Sequence, residues 1–326
     1  LIDLMTPSAA PRATPGRFSS DETRGLLLGL LGVTIFAMTT PMTRLAVGPA
    51  EAPQLPPLFI TAGRAALAGL LSTLYLLVVG AARPRADQRL RLLVCALGTV
   101  VGFPLFLALA LRRVDAMHAA VVTGLLPLAT AAAAAVAFRQ RPSKGFWLCA
   151  VLGALLVLGF AAWKGRGALS LADLLLIASM ASASIGYVAG AQLAAEMKAE
   201  HVICWVLVCS LPVTLPAMLL TWPTHAASTA AWGGFAYVTV FSMWLGFFAW
   251  YRGLALGGAV RVSQVQLVQP FLAMLFAVPV LGERLDAATL GFALAVVATV
   301  FAGRLMPVGR PARPMSTPST PAASTR

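Results

Sequence analysis

LVQPFLAMLFAVPVLGER, from Leu267 to Arg284, and LLPLATAAAAAVAFRQR, from Leu125 to Arg141, are two versions of one pattern. Laid over each other they match Pro127 with Pro270, Leu125 with Val268, Ala129 with Leu272 and Arg141 with Arg284. Just upstream, FLALAL (Phe106 to Leu111) parallels YRGLAL (Tyr251 to Leu256). An apolar run with a proline near its middle and a basic residue at its end therefore occurs twice, which marks an internal repeat.

Outward from these stretches the chain is a series of such runs. Of 326 residues, 59% are hydrophobic and 11% charged, with a mean hydropathy of +0.86. A soluble domain carries about 25% charged residues, so a soluble globular protein is excluded. The runs extend for a full crossing of roughly 20 residues, which excludes a membrane β-barrel, whose strands alternate over about ten. The spanning elements are helices. Predicted spans lie near Gly25 to Ala46, Leu58 to Gly80, Leu92 to Leu111, Ala116 to Phe138 and Gly145 to Trp163. A second set lies near Leu174 to Ala195, Val202 to Trp222, Ala231 to Tyr251, Gly258 to Leu281 and Ala287 to Gly303. Five crossings are an odd number, so the second copy enters the membrane from the opposite side. The expected fold is an all-α polytopic membrane protein, ten transmembrane helices in two inverted five-helix repeats around a central cavity. That architecture is typical of secondary transporters.

The expected organisation is a disordered N-terminal tail over 1–24, a first repeat over 25–163, a linker over 164–173, a second repeat over 174–303 and a disordered tail over 304–326. The N-terminal tail holds no apolar run that reads as a cleaved signal, so the first span is expected to direct insertion. The last tail holds five prolines in about twenty residues, a composition that does not order itself.

Charge sets orientation. The formal charge is +13, from 24 Lys plus Arg against 11 Asp plus Glu. With the N-terminus inside, 17 basic residues fall in inner segments and six in outer ones (Arg44, Arg112, Arg113, Lys164, Arg166, Arg284), with Arg64 alone inside a span. Basic residues concentrate on the cytoplasmic side, so both termini are expected in the cytoplasm and the protein in the inner (plasma) membrane. The charge is scattered singly, which argues against nucleic acid as a partner. Cys95, Cys149, Cys204 and Cys209 all fall in apolar spans without metal-ligand spacing and are expected as small core residues.

The segment PVLGERLDAATLGFALAV, Pro279 to Val296, with the Pro-centred helix before it, resembles the closing part of EamA-type repeats in the drug/metabolite transporter superfamily. The likeness covers Gly25 to Gly303. It implies ten helices, cytoplasmic ends, two inverted repeats and a cavity lined mainly by the first, third, fourth, sixth, eighth and ninth spans. Within the superfamily the chain is similar to bacterial amino acid exporters, including those for aromatic amino acids, and export as the direction comes from this resemblance. The first half departs from the pattern where Gln140 stands opposite Glu283.

Polar side chains inside a span are functional candidates by default. In the ninth span Ser263, Gln266 and Gln269 share a helical face with Pro270, and amides offer donors and acceptors together. Bonding between neighbouring helices is the competing reading for them. In the eighth span Tyr237, Phe241, Trp244, Phe248 and Tyr251 step by 4, 3, 4 and 3, an aromatic stripe on one helical face. Tyr237, Phe241 and Trp244 are candidates for a substrate-stacking wall, whereas Trp232, Trp250 and Tyr251 read as interface anchors. Thr39 and Thr40 flank Pro41 in the first span, where a kink would form a gate. Tyr187 is the candidate in the sixth span, among small residues suited to close packing. Pro127 and Pro270 are expected to interrupt their helices in matching places. Arg64, about seven residues into its span, is expected to snorkel to the outer surface in a structural role, with substrate carboxylate binding as the alternative.

All 11 acidic residues lie in tails, loops or span ends, and His118, His201 and His225 sit near the membrane surfaces without an evident proton relay. Proton-coupled pumps commonly use a buried carboxylate, so uncoupled movement is expected. Lys144, Lys164 and Lys198 lie in loops, which excludes a retinal Schiff base, and no nucleophile-base or metal-ligand grouping suggests an enzyme. The reading is a carrier that exports a small neutral or zwitterionic metabolite, an amino acid above all. It works by alternating access, with no cofactor, no metal, membrane lipid as surroundings and a monomeric state. The alternatives are a proton-coupled exporter of drugs or nucleobases and a non-transporting scaffold or sensor.

Overall fold

Ten apolar helices follow one another in the computed structural model, which describes residues 20–137, 139, 141–165, 167–257, 262–306 and 308–309. They are α1 Ser20–Val47, α2 Pro57–Val78, α3 Ala86–Ala110, α4 Ala116–Ala137, α5 Lys144–Lys164, α6 Leu171–Ala194, α7 Ala199–Leu220, α8 Thr229–Leu254, α9 Val265–Leu281 and α10 Ala287–Leu305. Among the described residues nine have the length and composition to cross a membrane, and α9 is a shorter apolar helix that a 3-10 segment, Ser263–Val268, leads into. Four of the helices, α5, α6, α8 and α10, start where the sequence supplies a side-chain cap. Ser143 Oγ accepts from Phe146 N–H, Ser228 Oγ from Ala231 N–H and Asp286 Oδ1 from Thr289 N–H, while Ser170 and Asp173 form a reciprocal capping box. The all-helical expectation holds apart from one two-residue antiparallel pairing, β1 (Arg141–Pro142) with β2 (Val308–Gly309).

Two expected boundaries shift. The first helix begins at Ser20 inside the stretch assigned to the N-terminal tail, and α6 begins at Leu171 inside the assigned linker, where Ser170 is its cap. Residues 1–19 and 310–326 lie outside the described residues.

The helix contacts show how the halves combine. Helix α2 packs on α7 and α5 on α10; α1 packs on α8 and α9, and α6 packs on α3 and α4. Exchanging each helix for the one five places along turns this set of pairs into itself, the signature of two halves related by a two-fold axis. With five crossings per half, the second half runs upside down relative to the first. Irregularities obey the same exchange: α3 contains a π-helical segment, Ala96–Gly102, and α8 contains one at Val238–Leu245.

Small residues let these pairs approach closely, as membrane helix contacts require. Gly98 and Gly186 bring α3 and α6 together backbone to backbone, so that a Cβ on Gly98 would come 2.7 Å from Gly186 Cα. Gly29 and Gly253 do the same for the related pair, α1 and α8, at 2.7 Å from Gly29 N. The outer surface carries leucines such as Leu70, Leu74, Leu77, Leu155, Leu219 and Leu275, as a lipid-facing surface does. Cys95 and Cys204 are core residues as expected, but Cys209 is exposed on α7. Trp250 is buried against Val33 and Val262, and Trp232 packs on Phe59, Trp222 and Phe235, so neither stands out as a surface anchor.

Candidate functional site

Proline breaks build the middle of the molecule. Pro127 has no N–H to offer the Thr123 carbonyl, and α4 is interrupted by a turn at Gly124–Leu125 before resuming at Leu126. Pro270 likewise leaves the Gln266 carbonyl without its i+4 donor; that oxygen accepts from Gln269 N–H instead, and the preceding segment tightens into the 3-10 turn. The two breaks are repeat-related and lie against each other, Gly124 beside the Pro270 ring.

Beside them is a cavity of about 370 Å³ lined by Thr40, Thr123, Leu126, Thr130, Tyr187, Gln266 and Gln269. It extends along α4 through Ala131 and Ala134 to Arg304, towards the end of the bundle where the described termini lie. At the other side it adjoins a recess of about 50 Å³, which shares Thr40, Thr123, Leu126, Tyr187, Gln266 and Gln269 and adds Thr39, Arg64, Thr99 and Ser242. Helices α1, α3, α4, α6, α8 and α9 all contribute, as the sequence reading expected, together with α2 through Arg64 and α10 through Arg304. No Asp or Glu lines either space among the described residues.

Arg64 departs from its expected place. It does not reach the surface: it is 2% exposed, and its Nη2 donates to Ser242 Oγ at 3.0 Å. Ser242 Oγ lies 2.8 Å from Thr39 Oγ1, joining α1, α2 and α8 in one polar cluster. The spacing from the span end measured depth but not direction around the helix, and direction turns this side chain inward.

The aromatic stripe also departs. Phe241 is 45% exposed and stacks on Tyr237, whose hydroxyl donates to the Ile35 carbonyl. Trp244 packs against Tyr75 and Phe248, outside both spaces. From α8 the recess receives Ser242, Met243 and Phe247 instead. The cause is the π-helical segment: i→i+5 bonding widens the turn, so residues spaced by 3.6 on paper rotate off the inner face. Thr39, Thr40, Tyr187, Gln266, Gln269, Pro127 and Pro270 all border the cavity or recess, and Pro41 is buried within an uninterrupted α1. The side chain of Ser263 lies outside the described residues, as does Gln140.

Thr123, Thr130, Thr99 and Ser242 line the site without having been singled out as site residues, and Arg64, expected in a structural role with carboxylate binding as the alternative, lines it too. A signal for Thr123 was present: the alignment that pairs Pro127 with Pro270 pairs Thr123 with Gln266. Ser242 and Thr99 sit in the π-helical segments, whose register composition does not encode.

At the far end of the bundle, away from the described termini, polar contacts cross between the halves beside a recess lined by His118, Lys164, Asp173, Glu283 and Asp286. Arg44 donates to the Leu111 carbonyl, and the Glu283 carboxylate accepts from Ala116 N–H at 2.6 Å and Met117 N–H at 2.8 Å, capping α4 from the opposite half. Lys164 pairs with Asp286 at 3.0 Å. Burial raises Glu283 above the usual carboxylate range, while Thr289 and then Lys164 hold Asp286 down to about 2. His118 Nε2 lies 2.7 Å from Asp173 Oδ1, a buried pair that the sequence reading did not foresee. At the opposite end, Arg91, Gln88 and Arg85 gather on Glu196, whose carboxylate they hold below its ordinary value.

Two inverted halves closing on a polar central cavity define the architecture of a secondary carrier. The chain belongs to the EamA-like transporter family, whose pattern matches residues 23–161 and again 170–303, one match per repeat. A relative from Bacillus subtilis (strain 168), named "Uncharacterized transporter YdeK", is 42% identical over 284 residues, covering 86% of this chain and 97% of that protein. A solved structure titled "Crystal structure of protein" shares the fold at a TM-score of 0.56 with 17% identity, over 87% of this chain and 97% of that one. The molecule is thus a multi-pass membrane transporter.

Proposed function

We propose that this transporter exports a small neutral or zwitterionic metabolite, an amino acid above all, by alternating access and without proton coupling. The observation that carries the reading is the cavity wall. Two amides, several threonine hydroxyls and a phenol surround about 370 Å³, with no carboxylate among the described lining residues. Amides serve an ammonium and a carboxylate equally, and the volume is at the small-molecule end of ligand pockets, about 300–1,000 Å³. The surplus of basic residues at the end of the bundle nearest the termini favours that end as cytoplasmic, and the cavity then faces the cytoplasm. The protein acts in the inner (plasma) membrane, as a monomer among lipids and without a cofactor.

The pseudo-two-fold pairing supports alternating access, because exchanging the conformations of the two halves opens the site at the other end. A second reading, proton-coupled export, is favoured by one observation, the buried His118–Asp173 pair at the far end. Flux of labelled amino acids and nucleobases in proteoliposomes, with and without a pH gradient, decides between them. Amino acid flux that persists after the gradient is collapsed supports the uncoupled carrier. Flux that vanishes supports the coupled one, and folded protein that moves none of the panel removes the amino acid reading.

A further inference from the structure

Arg64 is a cation in the membrane interior with no anion beside it. No ion pair involves it among the described residues, and its Nε and Nη1 have no hydrogen-bond partner. Among the described residues its side chain bonds to Ser242 Oγ alone, and the chain runs on from Ser242 to Thr39 and, at 3.5 Å, to the Ile35 carbonyl. That chain steadies the guanidinium without neutralising it. A buried charge lacking a partner is costly, and where one is kept in a membrane span it marks a functional site.

We propose that the recess at Arg64 is the subsite for the carboxylate of the transported molecule. The proposal deepens the transport reading and rests on it for the statement that the cavity holds cargo. Three observations converge. The guanidinium keeps Nε and Nη1 without partners, and the second N–H of Nη2 with either of them makes a planar fork that matches a carboxylate bidentately. The recess, about 50 Å³ against about 370 Å³ for the chamber, suits the small head of a molecule rather than its bulk. Thr40 and Tyr187 also line it, and their hydroxyls are able to donate to an anion.

The adjoining chamber takes the rest of the molecule. Gln266 and Gln269 border both spaces, and an amide at that junction can accept from the α-ammonium of an amino acid. The cargo is therefore oriented carboxylate first, towards the far end, with its variable group in the chamber along α4. A recognised head and a loosely lined chamber make a carrier selective for the carboxylate and tolerant of the side chain.

The test uses the full chain in proteoliposomes with labelled phenylalanine, leucine, glutamine and alanine, each competed by its amide and by the amine lacking the carboxyl group. Acetate, lactate and benzoate serve as carboxylates without an amine. The expected result is that amide and amine compete about tenfold or more weakly than the parent acid, the scale of a lost charged hydrogen bond. Arg64→Gln and Arg64→Met should cut flux of the acid by a similar factor and erase the preference for acid over amide, with Arg64→Lys intermediate.

If a variant fails to fold, the wild-type comparison of acid with amide decides alone. Amides that compete as well as acids, or an Arg64→Gln variant that slows flux while keeping the preference, overturn the subsite and leave Arg64 a strut between α2 and α8. If wild-type protein moves no amino acid but moves the simple carboxylates through Arg64, the amino acid reading falls and the subsite stands. If it moves neither kind, the subsite falls.

Discussion

Gly124 lies against the ring of Pro270, so closely that a Cβ on Gly124 would come 3.1 Å from Pro270 Cγ. The two residues belong to opposite halves, each at the break of its own helix, and their contact forms part of the cavity wall. If the halves exchange conformations during transport, this contact must slide or part.

Gly124→Leu should therefore slow transport far more than it destabilises the fold. The backbone at Gly124 has φ −57°, which any residue adopts, so the effect comes from crowding alone. Overpacking of this kind costs about 1–3 kcal/mol. Initial rates per folded protein should fall several-fold in Gly124→Leu and less in Gly124→Ala; unchanged rates in both would mean the breaks do not move against each other.

Gly186→Ala tests the close approach of α3 and α6. A Cβ there would come 2.8 Å from Thr99 N, against backbone that cannot yield cheaply. The expected loss of stability is about 1–3 kcal/mol, read as a lower unfolding temperature in lipid or detergent. Gly291→Ala, with nothing within 4 Å of its added Cβ, should be neutral or gain up to about 1 kcal/mol from helix propensity.

The turn between α9 and α10 should give acid lability a defined sign. Asp286, held near 2, contributes stability that is present above the ordinary carboxylate range and lost as pH falls from about 4 towards 2. Glu283 acts oppositely: its folded value is raised, so its contribution improves as pH falls through that value. Asp286→Asn should remove the low-pH loss and Glu283→Gln the opposing gain, in unfolding followed against pH.

Phe241→Ala should leave transport within about twofold of wild type, because the ring lies on the outer surface, whereas Gln266→Ala and Gln269→Ala should each lower it by about fivefold or more, the scale of one lost hydrogen bond. Equal losses in all three would return the aromatic stripe to the transport path.

The reasons for these contrasts also explain what the sequence revealed. Ten crossings and the repeat were legible because bilayer thickness sets the length of an apolar run, and because a proline near the middle of a span, as at Pro127 and Pro270, leaves a mark that survives divergence of its neighbours. Gln266, Gln269, Thr40 and Tyr187 were legible as polar groups too costly to face lipid. Direction around a helix was not. Arg64 sits at the depth its position implied yet points inward, and Phe241 and Trp244 left the inner face because the π-helical Val238–Leu245 alters a rotation that a fixed period assumes. The pairings of Glu283 with the start of α4 and of His118 with Asp173 join residues more than fifty apart in the chain, which no local pattern announces.

Counterflow in proteoliposomes bears most directly on the central claim, that the polar cavity between the α4 and α9 breaks carries a zwitterion without protons. Vesicles preloaded with an unlabelled amino acid should transiently accumulate the labelled form, equally with the pH gradient intact or collapsed, and Gln269→Ala should suppress the transient. A transient that disappears with the gradient, or one untouched by Gln269→Ala, would contradict the account.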